Sequence, residues 1–265
     1  MDMLVFGYGK MASAMVEGWL RAGVDPARIT AYNPRPKPVP DGVTMLTELP
    51  ERRFDAVVLG FKPQMLHTLK GEVAPLLDSK TIVISILAGI DLAMLQEAFP
   101  SAGGWVRWMP NLAVALGKSP NLLAASGIEE GRRAELTGMA ELLGSAEWLE
   151  DEAAFDLATA LAGSGPAFVY RFIDGLSAAA HELGLDRELA ARLALQMVEG
   201  AAALAPASEI SPGELADRVA SPGGMTREGM NVLDDGKALE TLLKSALANT
   251  AARGAELARN ARDQG

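Results

Sequence analysis

Two glycine-rich stretches carry the residue types best suited to chemistry. The first, Phe6-Gly7-Tyr8-Gly9-Lys10-Met11-Ala12, contains a GxGxxA pattern directly after a short apolar run. Gly7 lets the chain turn sharply, Gly9 lets backbone approach an anion, and Ala12 keeps a following helix close to the preceding strand. The free amides and positive dipole end of that helix then face a pyrophosphate. The second stretch, Ser221-Pro222-Gly223-Gly224-Met225-Thr226, opens a helical pattern. Its amides are suited to a carboxylate, as is the Thr226 hydroxyl, which is also a candidate cap for that helix; the plainer reading is an inter-helix turn.

A third group lies between them. Residues 28–32 read as a strand, and Asn33-Pro34-Arg35-Pro36-Lys37 stands at its end, where a dinucleotide fold meets the adenosine ribose. The acidic residue that would select NAD is missing; Asn33, Arg35 and Lys37 favour a 2′-phosphate and hence NADP, with NAD as the alternative. The competing reading is a solvated, proline-rich turn.

Composition narrows the field. The net charge of −10 argues against nucleic acid or an anionic membrane as partner. The absence of cysteine removes disulfides, thiolate nucleophiles and cysteine zinc sites. His67 and His181 stand in no metal-ligand spacing, so neither a metal site nor a Ser-His-Asp triad is expected. No uninterrupted apolar segment is long enough to span a bilayer, and a cytoplasmic protein is expected.

The elements that must position these groups follow from patterning. Buried-strand runs are expected at residues 2–6, 28–32, 55–61, 81–87, 105–108, 121–125 and 146–149, alternating with helical stretches. This predicts an α/β fold over residues 1–150, with a parallel or mixed sheet covered by helices on both faces. Ligands in such sheets sit at the carboxyl ends of the strands. Gly7, Gly9, Asn33, Lys62, Pro63, Ala88 and Asn111 all fall at such ends. Over residues 151–265 strand signals vanish, and an alanine-rich, all-helical domain is expected. Its apolar positions lie on more than one helix face, as in helices packed across a subunit interface. The sequence Gly163-Ser164-Gly165-Pro166 is expected to interrupt the first of these helices.

Taken together, the motifs resemble pyrroline-5-carboxylate reductases over essentially the whole chain. The resemblance rests on GYGKMASAM, FKPQ at 61–64, ISILAGI at 84–90, RWMPN at 107–111, TALAGSGPAF at 159–168 and VASPGGMT at 219–226. It implies a Rossmann domain followed by an all-helical dimerisation domain. It also implies reduction of 1-pyrroline-5-carboxylate to L-proline by hydride transfer from NADPH, the last step of proline biosynthesis. The implied partners are the cyclic imine carboxylate and a second copy of the chain, with further assembly to a decamer. By position, Thr226 matches the substrate-contacting hydroxyl, Glu152 an acidic residue at the substrate site, and Glu209 another ahead of the loop. Asn33, Lys62 and Ala88 match cofactor contacts, and Pro63, Asn111 and Phe61, which stands where valine is common, are further candidates for cofactor binding. Thr47 stands where asparagine is usual, Ala162 where serine precedes GSGP, and Phe168 where tyrosine is usual. Two other readings compete: a related NADP-dependent imine or keto-acid reductase, and a catalytically silent dinucleotide-binding regulator.

Overall fold

The computed structural model describes residues 1–263. An eight-stranded sheet occupies the N-terminal part: β1 (Met3–Phe6), β2 (Ile29–Tyr32), β3 (Thr44–Leu46), β4 (Ala56–Leu59), β5 (Ile82–Ser85), β6 (Gly104–Met109), β7 (Ser119–Ser126) and β8 (Gly144–Trp148). The order across the sheet is β3-β2-β1-β4-β5-β6-β7-β8. Every pairing is parallel except β6 with β7.

Strands β1 and β4 are apolar at every position because each face has its own core. In β1, Met3 and Val5 point into one cluster, with Met15, Val16 and Trp19 of α1 (Lys10–Arg21) and Leu136 and Ala140 of α4 (Glu130–Glu141). Leu4 and Phe6 point into the other, with Leu66 and Val73 of α2 (Leu66–Val73) and Met94 and Leu95 of α3 (Leu92–Ala98). Alternate residues of a strand face opposite sides, so a sheet covered twice needs apolar side chains throughout. Trp19 is the keystone of the first core. Its indole crosses that of Trp108 edge to face at 5.8 Å, and its Nε1–H donates to the Met139 carbonyl at 2.9 Å.

From Glu152 onward the chain is helical. The segment α5 (Phe155–Ala158) passes through a π-helical turn, Thr159–Gly163, into α6 (Gly165–Glu182). There follow α7 (Arg187–Ala207), α8 (Pro212–Val219), α9 (Met225–Asp234) and α10 (Ala238–Asp263). Among the described residues no helix is long and apolar enough to cross a membrane.

The last strand ends at Trp148, close to the change of character expected at residue 150. The compact units divide differently. One comprises Met1–Ser164 with the chain from Asn249 onward, and the other Gly165–Ala248. The difference arises because the start of the helical run and the end of α10 pack against the sheet's own unit. The helical unit has few fully buried side chains, namely Ala190, Ala194 and Ala220 among the described residues.

One further detail departs from the sequence expectation, and another bears it out. The edge strand β3 spans three residues with one exposed and two half-buried positions, so it lacks the apolar run that marks the others. The GSGP sequence interrupts the helical run as expected: a π turn ends at Gly163, Ser164 forms a turn and α6 begins at Gly165.

Candidate functional site

The sheet order reverses direction at β1, with β2 and β3 on one side and β4 to β6 on the other. A crevice at the carboxyl end of such a switch point is where open α/β sheets bind ligands. Gly7 sits there with φ +93°, and a Cβ on it would lie 2.8 Å from the Phe61 amide nitrogen. A Cβ on Gly9 would lie 3.2 Å from the Gly60 carbonyl oxygen. Both glycines therefore permit the turn after β1 to nest against the turn after β4. No side chain caps α1 at Gly9, and its first turn holds no acidic residue. The positive end of α1 is thus open to an anion, and the cradle fits a dinucleotide pyrophosphate.

Tyr8, Gly9, Lys10, Ser13 and Lys37 line a cavity of about 400 Å³ beside this turn. The Lys37 ammonium donates to the Tyr8 carbonyl at 2.8 Å, which brings a cation over the glycine turn. Asn33 donates through Nδ2 to the Arg35 carbonyl at 2.7 Å, shaping the loop that carries Arg35. The Tyr8 hydroxyl is buried without a partner in the structure, and burial, followed by the nearby Glu17 charge, raises its pKa above the ordinary phenol value. Thr47 follows the edge strand β3, while Phe61 packs edge to face on Phe6 at 5.8 Å. Lys62 and Pro63 begin the short helical turn after β4. Ala88 is exposed beyond the end of β5, next to the buried Gly89. The sequence-expected cofactor residues are therefore distributed over the ends of β1, β2, β3, β4 and β5 in one unit.

Asn111, at the end of β6, also joins two motifs of the chain. Pro166 lacks an N–H, so it leaves the carbonyl four residues earlier, that of Ala162, without its helical partner. Asn111 Nδ2 donates to that oxygen at 2.9 Å, while its Oδ1 accepts from the Ala113 amide at 2.8 Å. The MPN and GSGP motifs are two halves of one clasp, and the side chain of Asn111 is partnered at both ends.

Glu152 lies in the same unit as the sheet. Its Oε1 accepts from Arg107 Nη1 at 2.8 Å and from the Leu92 amide at 2.9 Å. Arg107 also approaches Asp156 at 3.7 Å and stacks over the Phe155 ring at 3.8 Å. The Arg107 side chain is nearly fully buried. A guanidinium in that position needs its charge matched and its donors used, and the two carboxylates do both. Sequence reasoning passed over Arg107, Asp156 and Thr159. The available signal for the first was a single cation inside the otherwise apolar run WVRWM.

The second glycine-rich stretch belongs to the helical unit. Gly223 adopts φ +72°, and Gly224 N–H donates to the Ser221 carbonyl at 3.0 Å to close the turn. Arg227 locks the loop from behind, donating to the Ala220 carbonyl at 3.1 Å and to Asp217 at 2.8 Å. The N-cap of α9 is Gly224, without a side-chain hydrogen bond, so Thr226 does not cap the helix as expected but occupies its first turn. The amides at the start of α9 therefore have no side-chain cap. Ser221 and Thr226 are exposed, and Met225 is 93% exposed. Glu209 is exposed in the bend between α7 and α8.

Comparison with known proteins places these features in a family context. The family described as pyrroline-5-carboxylate reductase dimerisation matches residues 152–257, and that described as NADP oxidoreductase, coenzyme F420-dependent, matches residues 3–89. The chain is 36% identical to pyrroline-5-carboxylate reductase of Pisum sativum over 251 residues, covering 91% of each chain. It is 35% identical to that of Pseudomonas aeruginosa over 260 residues, covering 95% of each. Among solved structures, the Coxiella burnetii reductase aligns with a TM-score of 0.86 at 29% identity, covering 97% of this chain and 98% of that one. The Plasmodium falciparum pyrroline carboxylate reductase, solved with NADP bound, aligns with a TM-score of 0.83 at 25% identity, again covering 97% and 98%.

Proposed function

Because the chain belongs to the pyrroline-5-carboxylate reductase family, we propose that it reduces 1-pyrroline-5-carboxylate to L-proline with NADPH as reductant. The observation that carries this reading is a complete dinucleotide cradle at the switch point, within a chain similar end to end to such reductases. NADPH, when bound, supplies the hydride. The chain's residues supply binding and orientation, because a protonated imine is already electrophilic and needs no metal or strong nucleophile.

The open amides of Gly7 to Ala12 hold the pyrophosphate, and Asn33, Arg35 and Lys37 hold the 2′-phosphate, with Thr47 alongside. Phe61, Lys62, Pro63 and Ala88 bound the path of the cofactor beyond the turn. The loop comprising Ser221, Gly223, Gly224, Met225 and Thr226 takes the substrate carboxylate, and the Thr226 hydroxyl serves the imine nitrogen. Glu152, tied to Arg107, supplies negative potential for the iminium, and Glu209 lies ahead of the substrate loop. Asn111 contributes by holding the turn after α5. Assembly of dimers into a decamer and a cytoplasmic location complete the proposal.

The test is NADPH oxidation by the purified protein with pyrroline-5-carboxylate, with proline quantified and the assay repeated with NADH. Proline formation with a clear NADPH advantage is the expected result. A preference for NADH would overturn the 2′-phosphate assignment while leaving the reaction intact. Binding of NADPH without turnover would point to another imine or to a silent regulator.

A further inference from the structure

Within the sheet-containing unit, the ends of β5 and β6, the π turn and the second half of α10 line a cavity of about 460 Å³. Ala88, Gly89, Met109, Thr159 and Gly254 contribute to its wall. It lies beyond β4, on the opposite side of the switch point from β2. A dinucleotide whose adenosine half meets the end of β2 directs its other half to this side.

The Thr159 hydroxyl oxygen is buried and has no hydrogen-bond partner in the structure. A threonine inside a helix ordinarily has the carbonyl four residues earlier within reach. Here that option is unused at the residue that opens the π turn. Such turns are costly, recur at functional sites, and here the Asn111–Ala162 hydrogen bond holds the turn in place. A buried hydroxyl left unmatched destabilises the fold, so a structural reason for retaining it is missing.

The cavity's charges narrow the ligand. Arg107 is paired with Glu152 and Asp156, and Arg253 with Glu256 at 2.6 Å. Among the described wall residues both arginines are therefore already neutralised, and Asp156 opposes an added anion. A neutral group with both donor and acceptor fits better than a carboxylate.

Resting on the NADPH assignment above, we propose that the Thr159 hydroxyl is the hydrogen-bond partner of the nicotinamide carboxamide of the bound cofactor. The test replaces the hydroxyl with a methyl group of similar volume, Thr159→Val, and compares it with Thr159→Ser. NADPH affinity is titrated by fluorescence without imine, 2′,5′-ADP affinity by competition, and the apo melting temperature is recorded. The valine variant is expected to bind NADPH about tenfold more weakly. Its affinity for 2′,5′-ADP, which lacks the nicotinamide, stays at the wild-type value. Its apo melting temperature stays equal or rises, because an unmatched polar group has gone. Thr159→Ser restores NADPH binding.

Three results overturn the proposal: unchanged NADPH affinity, a parallel loss of 2′,5′-ADP affinity, or failure of the valine variant to fold. Because no turnover is needed, the outcome is independent of whether pyrroline-5-carboxylate proves to be the substrate.

Discussion

In the sheet-containing unit Trp19, Trp108, Phe99 and Phe155 are fully buried, whereas in the helical unit Phe172, Leu195 and Leu242 stand exposed. Phe168, Phe172, Leu176, Leu239 and Leu243 line one open apolar groove between α6 and α10, with about 480 Å³ of space. The first unit closes its own core. The second buries three alanines and leaves its large side chains for another surface to cover. Contiguous exposed apolar patches of this kind mark interaction sites. Here the patch belongs to a dimerisation domain, so the chain's two halves are stabilised by different means. Packing within the chain covers the apolar faces of the sheet, whereas the helices leave theirs open.

The comparison can be broken at either end. Trp19→Ala removes one of the two tryptophans of the self-contained core and is expected to cost about 3–5 kcal/mol. Denaturation across a dilution series should show the same loss at every protein concentration; a loss confined to dilute samples would mean that this core also depends on association. Thr226→Ala leaves both cores alone. It should lower kcat/KM for the imine by about 100-fold with NADPH affinity unchanged, and near-normal kinetics would remove Thr226 from the site.

Leu242→Asp places a charge in the open groove. Self-association should weaken by about 30-fold in sedimentation equilibrium, while far-ultraviolet circular dichroism of the sheet-containing unit persists. An unaltered dimer would assign the interface to another face of the helices. Lys37→Ala, at the glycine turn, should reduce the NADPH-over-NADH preference by about tenfold, read from kcat/KM with each cofactor and without any change in oligomeric state.

The smallest effect concerns the helical unit's own local stability. Ser211 and Glu214 form a capping box at α8, and the Ser211 amide and hydroxyl hold the Glu214 carboxyl below its usual pKa. A depressed folded-state value stabilises the fold above the unfolded value, near 4.3 on average, and that contribution is lost as pH falls through the folded value. Wild type and Glu214→Gln should therefore differ slightly in melting temperature at pH 7 and converge as pH falls through the folded value. A gap that widens on acidification would refute the sign.

Much of the sheet-containing unit was legible because its strands are buried on both faces. Uninterrupted runs such as DAVVLGF and TIVISIL state their own structure, and the glycines at 7 and 9 state the turn between them. The edge strand β3 was not legible, since three residues, one exposed and two half-buried, carry no periodic signal. The clasp between Asn111 and Ala162 spans 51 residues, and nothing local to either motif announces the other. Arg107 with Glu152 is the same case at 45 residues.

By itself, the sequence determined the α/β-then-helical order, the anion cradle at the start of α1, the glycine loop ahead of α9 and the family resemblance. Each of these depends on residue type and near-neighbour spacing, which the chain carries locally. Tertiary structure alone decided that Asn111 repairs the carbonyl freed by Pro166. It also decided that Glu152 balances a buried arginine, that the end of α10 returns to the sheet's unit, and that the Thr159 hydroxyl is left unmatched. Those facts are matters of which groups meet after folding, and burial then makes each meeting, or its absence, energetically decisive.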